Sequence, residues 1–196
     1  MIPPTGVIGA AWEVQQKLSR AGLRFCFIGG LALQRWGEPR YTQDVDLTLL
    51  CPFGEEIALA RRLADLFQPR FEGAVEFAVE SRVFLAQTAE GTPIDIAFGA
   101  IDFEIRCVDR ASPFDFGGGG SLLICCAEDL IVMKAFANRN RDWPDVESIV
   151  MRRGTKLDWD LIERELKPLL AIQGGQPVWN HLDELRQPNR FFASPR

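Results

Sequence analysis

Asp44 and Asp46 stand two residues apart at the head of the apolar run Val45, Leu47, Leu49. A strand alternates its side chains, so period two puts both carboxylates on one face and the apolar residues on the other. Two like charges at that range repel unless a cation lies between them. Oxygen-only ligands of this kind suit Mg²⁺, with its own waters and a substrate phosphate completing the shell. A third carboxylate, Asp95, lies in Thr92-Pro93-Ile94-Asp95-Ile96-Ala97. Apolar residues flank it on what reads as a central strand, where an unpaired charge is costly. Three carboxylates on neighbouring strands can hold two metals for in-line displacement at phosphorus.

A Gly29-Gly30 pair closes the apolar segment Phe25-Cys26-Phe27-Ile28, and Asp44 follows 14 residues after Gly30. Glycines let backbone N–H groups approach a ligand closely, and the N-terminus of a following helix favours an anion such as a triphosphate. Taken alone, Gly-Gly is also a plain tight turn and Asp-x-Asp a solvated strand end. Their combination with Asp95 carries the catalytic reading. Lys134 is the lone charge in Leu130 to Ala137, so it either snorkels to solvent or meets an anion. Asp142, with Pro144 behind it, reads equally as a helix N-cap or a site residue, and Asp145 suits the first turn of the same helix. Arg40 and Thr42 lie on the loop before Asp44. Arg40 is placed to meet a phosphate or a surface carboxylate.

The elements that must position these residues follow from periodicity. Helices are expected over Gly6–Ser19, Leu31–Trp36 and Glu55–Phe67, and strands over Arg24–Ile28 and Val45–Leu50. Arg82–Gln87 and Pro93–Phe98 read as a hairpin. Phe103–Asp109 reads as a further strand. The Gly117–Gly120 run lacks a phosphate-loop frame and reads as a turn before a strand over Ser121–Cys125. Helical spacing then dominates, over Ala127–Asn138, Trp143–Arg153, Trp159–Ile172 and Pro177–Arg186. The expected organisation is an α+β core over residues 1–125, a helical region over 126–188 and a loose tail over 189–196.

The chain has 196 residues, 47% hydrophobic and 25% charged, which suits a folded domain rather than a disordered one. Its net charge of −5 argues against a general grip on duplex DNA. Arg139, Arg141, Arg152, Arg153 and Lys156 against Asp142, Asp145 and Glu147 leave a local balance of +2. That patch reads either as solvated helix faces or as an RNA surface. The single His181 excludes a two-histidine zinc helix and reads as a surface residue; Trp143, Trp159 and Trp179 read as packing elements. Five cysteines without a C-x-x-C pair read as core thiols in a reducing compartment. No apolar run nears the ~20 residues of a membrane helix, and Met1-Ile2-Pro3-Pro4 does not open a signal peptide. The expected address is the cytoplasm, with no membrane partner.

Ile28-Gly29-Gly30, Asp44-Val45-Asp46-Leu47 and Ile94-Asp95-Ile96 together resemble the nucleotidyltransferase superfamily with the polymerase-β-like palm fold. Arg40-x-Thr42-x-Asp44-x-Asp46, the Ala127-Glu128-Asp129-Leu130-x-x-x-Lys134 segment and Arg141-Asp142-x-x-Asp145 resemble the AbiEii-type abortive-infection toxins within it. The likeness spans roughly Phe25 to Val150. It implies a mixed sheet flanked by helices, with a C-terminal helical annex. It implies that Asp44 and Asp46 hold Mg²⁺ or Mn²⁺ on an NTP, and that Asp95 completes a second metal site and helps activate the attacking hydroxyl. It also implies nucleotide contacts from Gly29, Gly30, Arg40, Thr42, Lys134, Arg141, Asp142 and Asp145, with Lys134 joining the catalytic set. The expected reaction moves a nucleoside monophosphate to a hydroxyl acceptor, with tRNA or another RNA favoured and a cognate antitoxin protein as partner. The alternatives are a small-molecule, antibiotic-type nucleotidyltransferase, or a non-catalytic member that binds nucleotide or protein.

Overall fold

The computed structural model describes residues 6–117, 120–173 and 175–186. They divide into two compact units. Arg40–Cys126, with the segment that ends at Ala32, makes the first; Leu33–Pro39, with the chain from Ala127 onward, makes the second. The expected loose tail lies outside the described residues, as do positions 118–119 of the glycine run.

The first unit opens with α1 (Gly6–Arg20), β1 (Phe25–Phe27) and the start of α2 (Gly29–Trp36). Then come β2 (Val45–Leu50), α3 (Glu56–Leu66), β3 (Gln68–Pro69), α4 (Ala74–Ser81), β4 (Val83–Gln87) and β5 (Pro93–Gly99). α5 (Asp102–Arg110), β6 (Ser112–Asp115) and β7 (Ser121–Ile124) complete it. The sheet order is β3-β4-β5-β2-β1-β7-β6. β2 runs parallel to β5 and antiparallel to β1, so the sheet is mixed. Val45, Leu47, Leu49, Phe84, Ile94 and Ile96 alternate inward and are buried. Full burial of such side chains stabilises by about 1.5–3 kcal/mol each. The residues between them face the other way. On that face α5 sets Cys107 beside Cys26, with 3.8 Å between the sulfurs, and Glu104 beside Thr48 at Gly99. Thr48 is thereby buried, whereas Asp46, one alternation earlier, keeps partial exposure.

One expected element changes type, and three, β3, α4 and β6, lie where none was expected. Phe103–Asp109 is helix α5, not a strand. Phe103, Ile105 and Cys107 mimic period two, but Phe103, Cys107 and Val108 are the buried positions, and these share one helical face. Glu104 accepts hydrogen bonds from the Ala100 and Ile101 N–H groups at 2.7 and 3.1 Å, satisfying donors at the helix start. Of the three unexpected elements, α4 carries no apolar face of large residues: Ala74 and Ala78 are buried while Phe77 and Val79 stay exposed. The expected core thiols are present: Cys26, Cys51, Cys107 and Cys125 are buried, Cys126 is half-buried, and all are free. Burial pushes the Cys51 thiol up, against the lowering charge of Arg82.

The second unit holds α6 (Ala127–Ala137), α7 (Trp143–Arg153), a 3₁₀ turn (Gly154–Lys156), α8 (Trp159–Gln173) and α9 (Gln176–Arg186). α6 is apolar around most of its circumference, and α7, α8 and α9 pack on it. Leu33–Pro39 docks here because Gly37 leaves room for Ser148: a Cβ at Gly37 would meet Ser148 Oγ at 2.5 Å. Glu38 N–H then donates to that hydroxyl at 3.1 Å, and Arg152 donates to the Gly37 carbonyl at 2.5 Å. His181, expected on the surface, is half-buried with its ring edge-on to Trp143 at 4.1 Å. Trp159 and Trp179 lie under Arg186 and Lys167 respectively, in the packing role expected of them. No described helix is long and apolar enough to cross a membrane.

Candidate active site

Asp46 sits second in β2, and the parallel register sets it directly beside Asp95 of β5. Register partners point to the same face, so the sheet presents two carboxylates side by side. Asp44 precedes β2 and is exposed at the strand entrance, so the two-residue spacing spans a bend and a strand rather than one strand. Gly29 and Gly30 open α2, and Gly29 lies against Asp46. Gly29 has φ +54°, and a Cβ there would overlap the Asp46 carboxylate. A Cβ on Gly30 would meet Thr42 Oγ1 at 2.5 Å. Both glycines are therefore required by close approach, one to a carboxylate and one to the loop that carries Thr42. The Gly30 N–H faces Asp46 Oδ2 at 3.5 Å, a long contact, and the Thr42 hydroxyl faces the Asp44 carbonyl at 3.4 Å. Arg40 is exposed on the same loop.

Asp95 carries a neighbour that periodicity did not reveal. Arg70, immediately after β3, places Nη2 2.5 Å from Asp95 Oδ1. The only signal available was indirect: an Asp between isoleucines on a central strand calls for a cation. Among the described residues, no three His, Cys, Asp or Glu side chains converge at metal-binding spacing. The donor set nonetheless fits a hard divalent ion in chemistry: carboxylate oxygens, two of them in register, beside a turn stripped of side chains.

The second unit brings Lys134, Asp142 and Asp145 together. Lys134 Nζ lies 2.6 Å from Asp145 Oδ2 and 3.3 Å from Asp142 Oδ1, and all three side chains are at most 8% exposed. Lys134 therefore meets anions of its own unit rather than snorkelling. Arg139 adds a contact from Nε to Asp142 Oδ2 at 2.6 Å. Asp142 occupies the N-cap position of α7, but its side chain makes no capping bond. Of the two readings of Asp142, the cap does not form: Arg139 and Lys134 take the carboxylate in place of the helix amides. Burial alone would raise the Asp142 carboxyl; the Arg139 hydrogen bond and the Lys134 charge more than offset it and hold it below the usual range. Arg141 is exposed. The +2 patch is partly structural, since Arg139 pairs with Asp142, Arg152 holds the Gly37 carbonyl and Arg153 covers the Trp36 ring.

A mixed sheet with paired carboxylates beside a Gly-Gly turn is the arrangement of a nucleotidyltransferase fold. Among solved structures the chain is similar to the antibiotic-resistance factor ANT(2'')-Ia, at 17% identity and TM-score 0.51, over 87% of this chain and 94% of that one. An antigenic nucleotidyltransferase-like protein from Paracoccidioides brasiliensis aligns at 14% identity and TM-score 0.48, over 93% and 94%. No curated protein matches in sequence. The family model of the nucleotidyl transferase AbiEii toxin, type IV TA system, matches residues 15–188, and the chain belongs to that family.

Proposed function

We propose that the chain transfers a nucleoside monophosphate from an NTP to a hydroxyl acceptor and releases pyrophosphate. The observation that carries this reading is the in-register Asp46–Asp95 pair beside the Gly29-Gly30 turn. Asp44, Asp46 and Asp95 would hold Mg²⁺ or Mn²⁺, which would supply charge neutralisation to the triphosphate and align the displacement. The acceptor oxygen forms the new bond to the α-phosphorus, and the bond to the bridging oxygen breaks with its electrons leaving on pyrophosphate. Asp95 takes the hydroxyl proton in this scheme. The N-terminus of α2, opened by Gly29 and Gly30, favours the phosphates, with Thr42 and Arg40 on the adjoining loop. Nucleotide contacts from Lys134, Arg141, Asp142 and Asp145 belong to the same reading; Asp142 and Asp145 hold the Lys134 ammonium in place.

The favoured acceptor is RNA, with a tRNA 3′ end as first choice, consistent with the family's toxin character. A cognate antitoxin protein and a cytoplasmic address belong to the same reading. A small-molecule acceptor is the second reading, favoured by the fold shared with an antibiotic-resistance factor. Labelled NTPs incubated with metal and either total RNA or a panel of aminoglycosides and lincosamides separate the two. Label entering RNA, reduced by Arg141→Glu, supports the first. Label confined to small molecules overturns the RNA acceptor and leaves nucleotidyl transfer standing.

A further inference from the structure

Arg70 contacts Asp95 of the carboxylate pair, and its position is fixed from two sides. Its backbone N–H donates to the Leu85 carbonyl at 3.1 Å, and Leu85 is the β4 register partner of Asp95. The side chain therefore reaches across β4 to the neighbouring strand and ends on Asp95, with Nη2 2.5 Å from Oδ1. The contact runs through one guanidinium nitrogen and one oxygen, not the two-point fork that gives Arg–carboxylate pairs their strength. Both side chains keep solvent access, 28% for Arg70 and 39% for Asp95, so exchange of partners needs no unfolding. A guanidinium cannot lose its charge at any working pH, so only displacement can remove it.

We propose that Arg70 is a positioning residue that acts as an internal counter-cation: it neutralises Asp95 in the metal-free protein, and a divalent ion must displace it to complete the site. The inference rests on the reading of Asp44, Asp46 and Asp95 as metal ligands. It follows that Arg70 protects the sheet from repulsion between Asp46 and Asp95 while lowering the site's affinity for the ion. Metal occupancy is thereby tied to movement of one side chain.

The test is direct Mn²⁺ binding, read by loss of the free-ion electron paramagnetic resonance signal, with no substrate present. The proteins are the wild type, Arg70→Gln, Arg70→Lys and Asp46→Asn. Arg70→Gln should bind Mn²⁺ about tenfold more tightly than wild type, the ratio that about 1.4 kcal/mol of relieved competition gives. Arg70→Lys, which keeps the charge, should stay within about twofold of wild type; the same constant makes that about 0.4 kcal/mol. Asp46→Asn should lose the binding. Thermal melts give a second readout: Arg70→Gln should melt lower than wild type in chelator and gain more from Mn²⁺. Unchanged or weaker binding by Arg70→Gln, with binding still lost in Asp46→Asn, overturns the counter-cation role and leaves the metal site standing. Equal binding by Asp46→Asn and wild type, or no binding by any variant, removes the metal site and the role together.

Discussion

Acidic residues do opposite work in the two units. On the sheet, Asp46 and Asp95 are adjacent, partly exposed and of one sign, with the Arg70 guanidinium touching Asp95. In the helical unit, Asp142 and Asp145 are buried, and Lys134 and Arg139 face them at contact distance. The first arrangement keeps two carboxylates of one sign side by side and open to solvent. The second consumes its charge internally and buys rigidity. Residue type alone does not separate the two; exposure and the sign of the nearest neighbour do.

The largest effect should come from breaking the compensated cluster. Lys134→Met removes the ammonium that Asp142 and Asp145 share while Arg139 stays on Asp142, and removing one partner of a buried pair typically destabilises by about 3–5 kcal/mol. Urea unfolding should show that loss, with turnover falling in parallel because the helical unit no longer holds its shape. A loss under about 1 kcal/mol would mean that water screens the cluster far better than its burial implies. Gly29→Ala comes next. The added Cβ overlaps the Asp46 carboxylate at a residue with φ +54°, so the turn must shift. A destabilisation of about 1–3 kcal/mol is expected, accompanied by weaker binding of metal and NTP.

Asp142→Asn should cost about 1–3 kcal/mol near neutral pH, by loss of a charged hydrogen-bond acceptor at a buried site. Its pH dependence is the sharper observable. The folded Asp142 carboxyl lies below its ordinary value. Its stabilisation is therefore fully present above the unfolded value, about 3.9, and is lost as pH falls through the lower folded one. Chemical denaturation between pH 6 and 3, pH values chosen to span about 3.9, should show a shallower acid decline for Asp142→Asn than for wild type. Parallel curves would remove Asp142 from the acid limb. The smallest stability change is expected from Asp46→Asn. Taking one charge from a like-charged pair should leave stability within about 0.5 kcal/mol of wild type, or raise it slightly.

Much of this contrast is legible in the sequence. β2 and α7 fall where periodicity sets them, Val45–Leu50 and Trp143–Arg153, because each carries a regular apolar face. The three carboxylates and the Gly-Gly turn were likewise visible as residue types at telling spacings. What was not legible depends on tertiary neighbours. Arg70 has meaning only once β3, β4 and β5 lie side by side, since nothing local in Gln68-Pro69-Arg70-Phe71 marks it. Asp142 reads as a cap or a site residue because Asp before Trp-Pro is a cap signal, and only the packing of α6 against α7 brings Lys134 to it beside Arg139. α5 misled for a local reason: five residues of accidental alternation precede Val108, which completes the helical face.

The central claim is that the carboxylate pair on the sheet transfers a nucleotidyl group. The most direct measurement compares NTPs labelled at the α-phosphorus and at the γ-phosphorus, with Mn²⁺ and total RNA as acceptor, for wild type and Asp46→Asn at equal folded concentration. The account predicts stable incorporation of the α-label by wild type, release of the γ-label as pyrophosphate, and loss of both in Asp46→Asn. Transfer of the γ-label to the acceptor, or undiminished α-label transfer by Asp46→Asn, would contradict it.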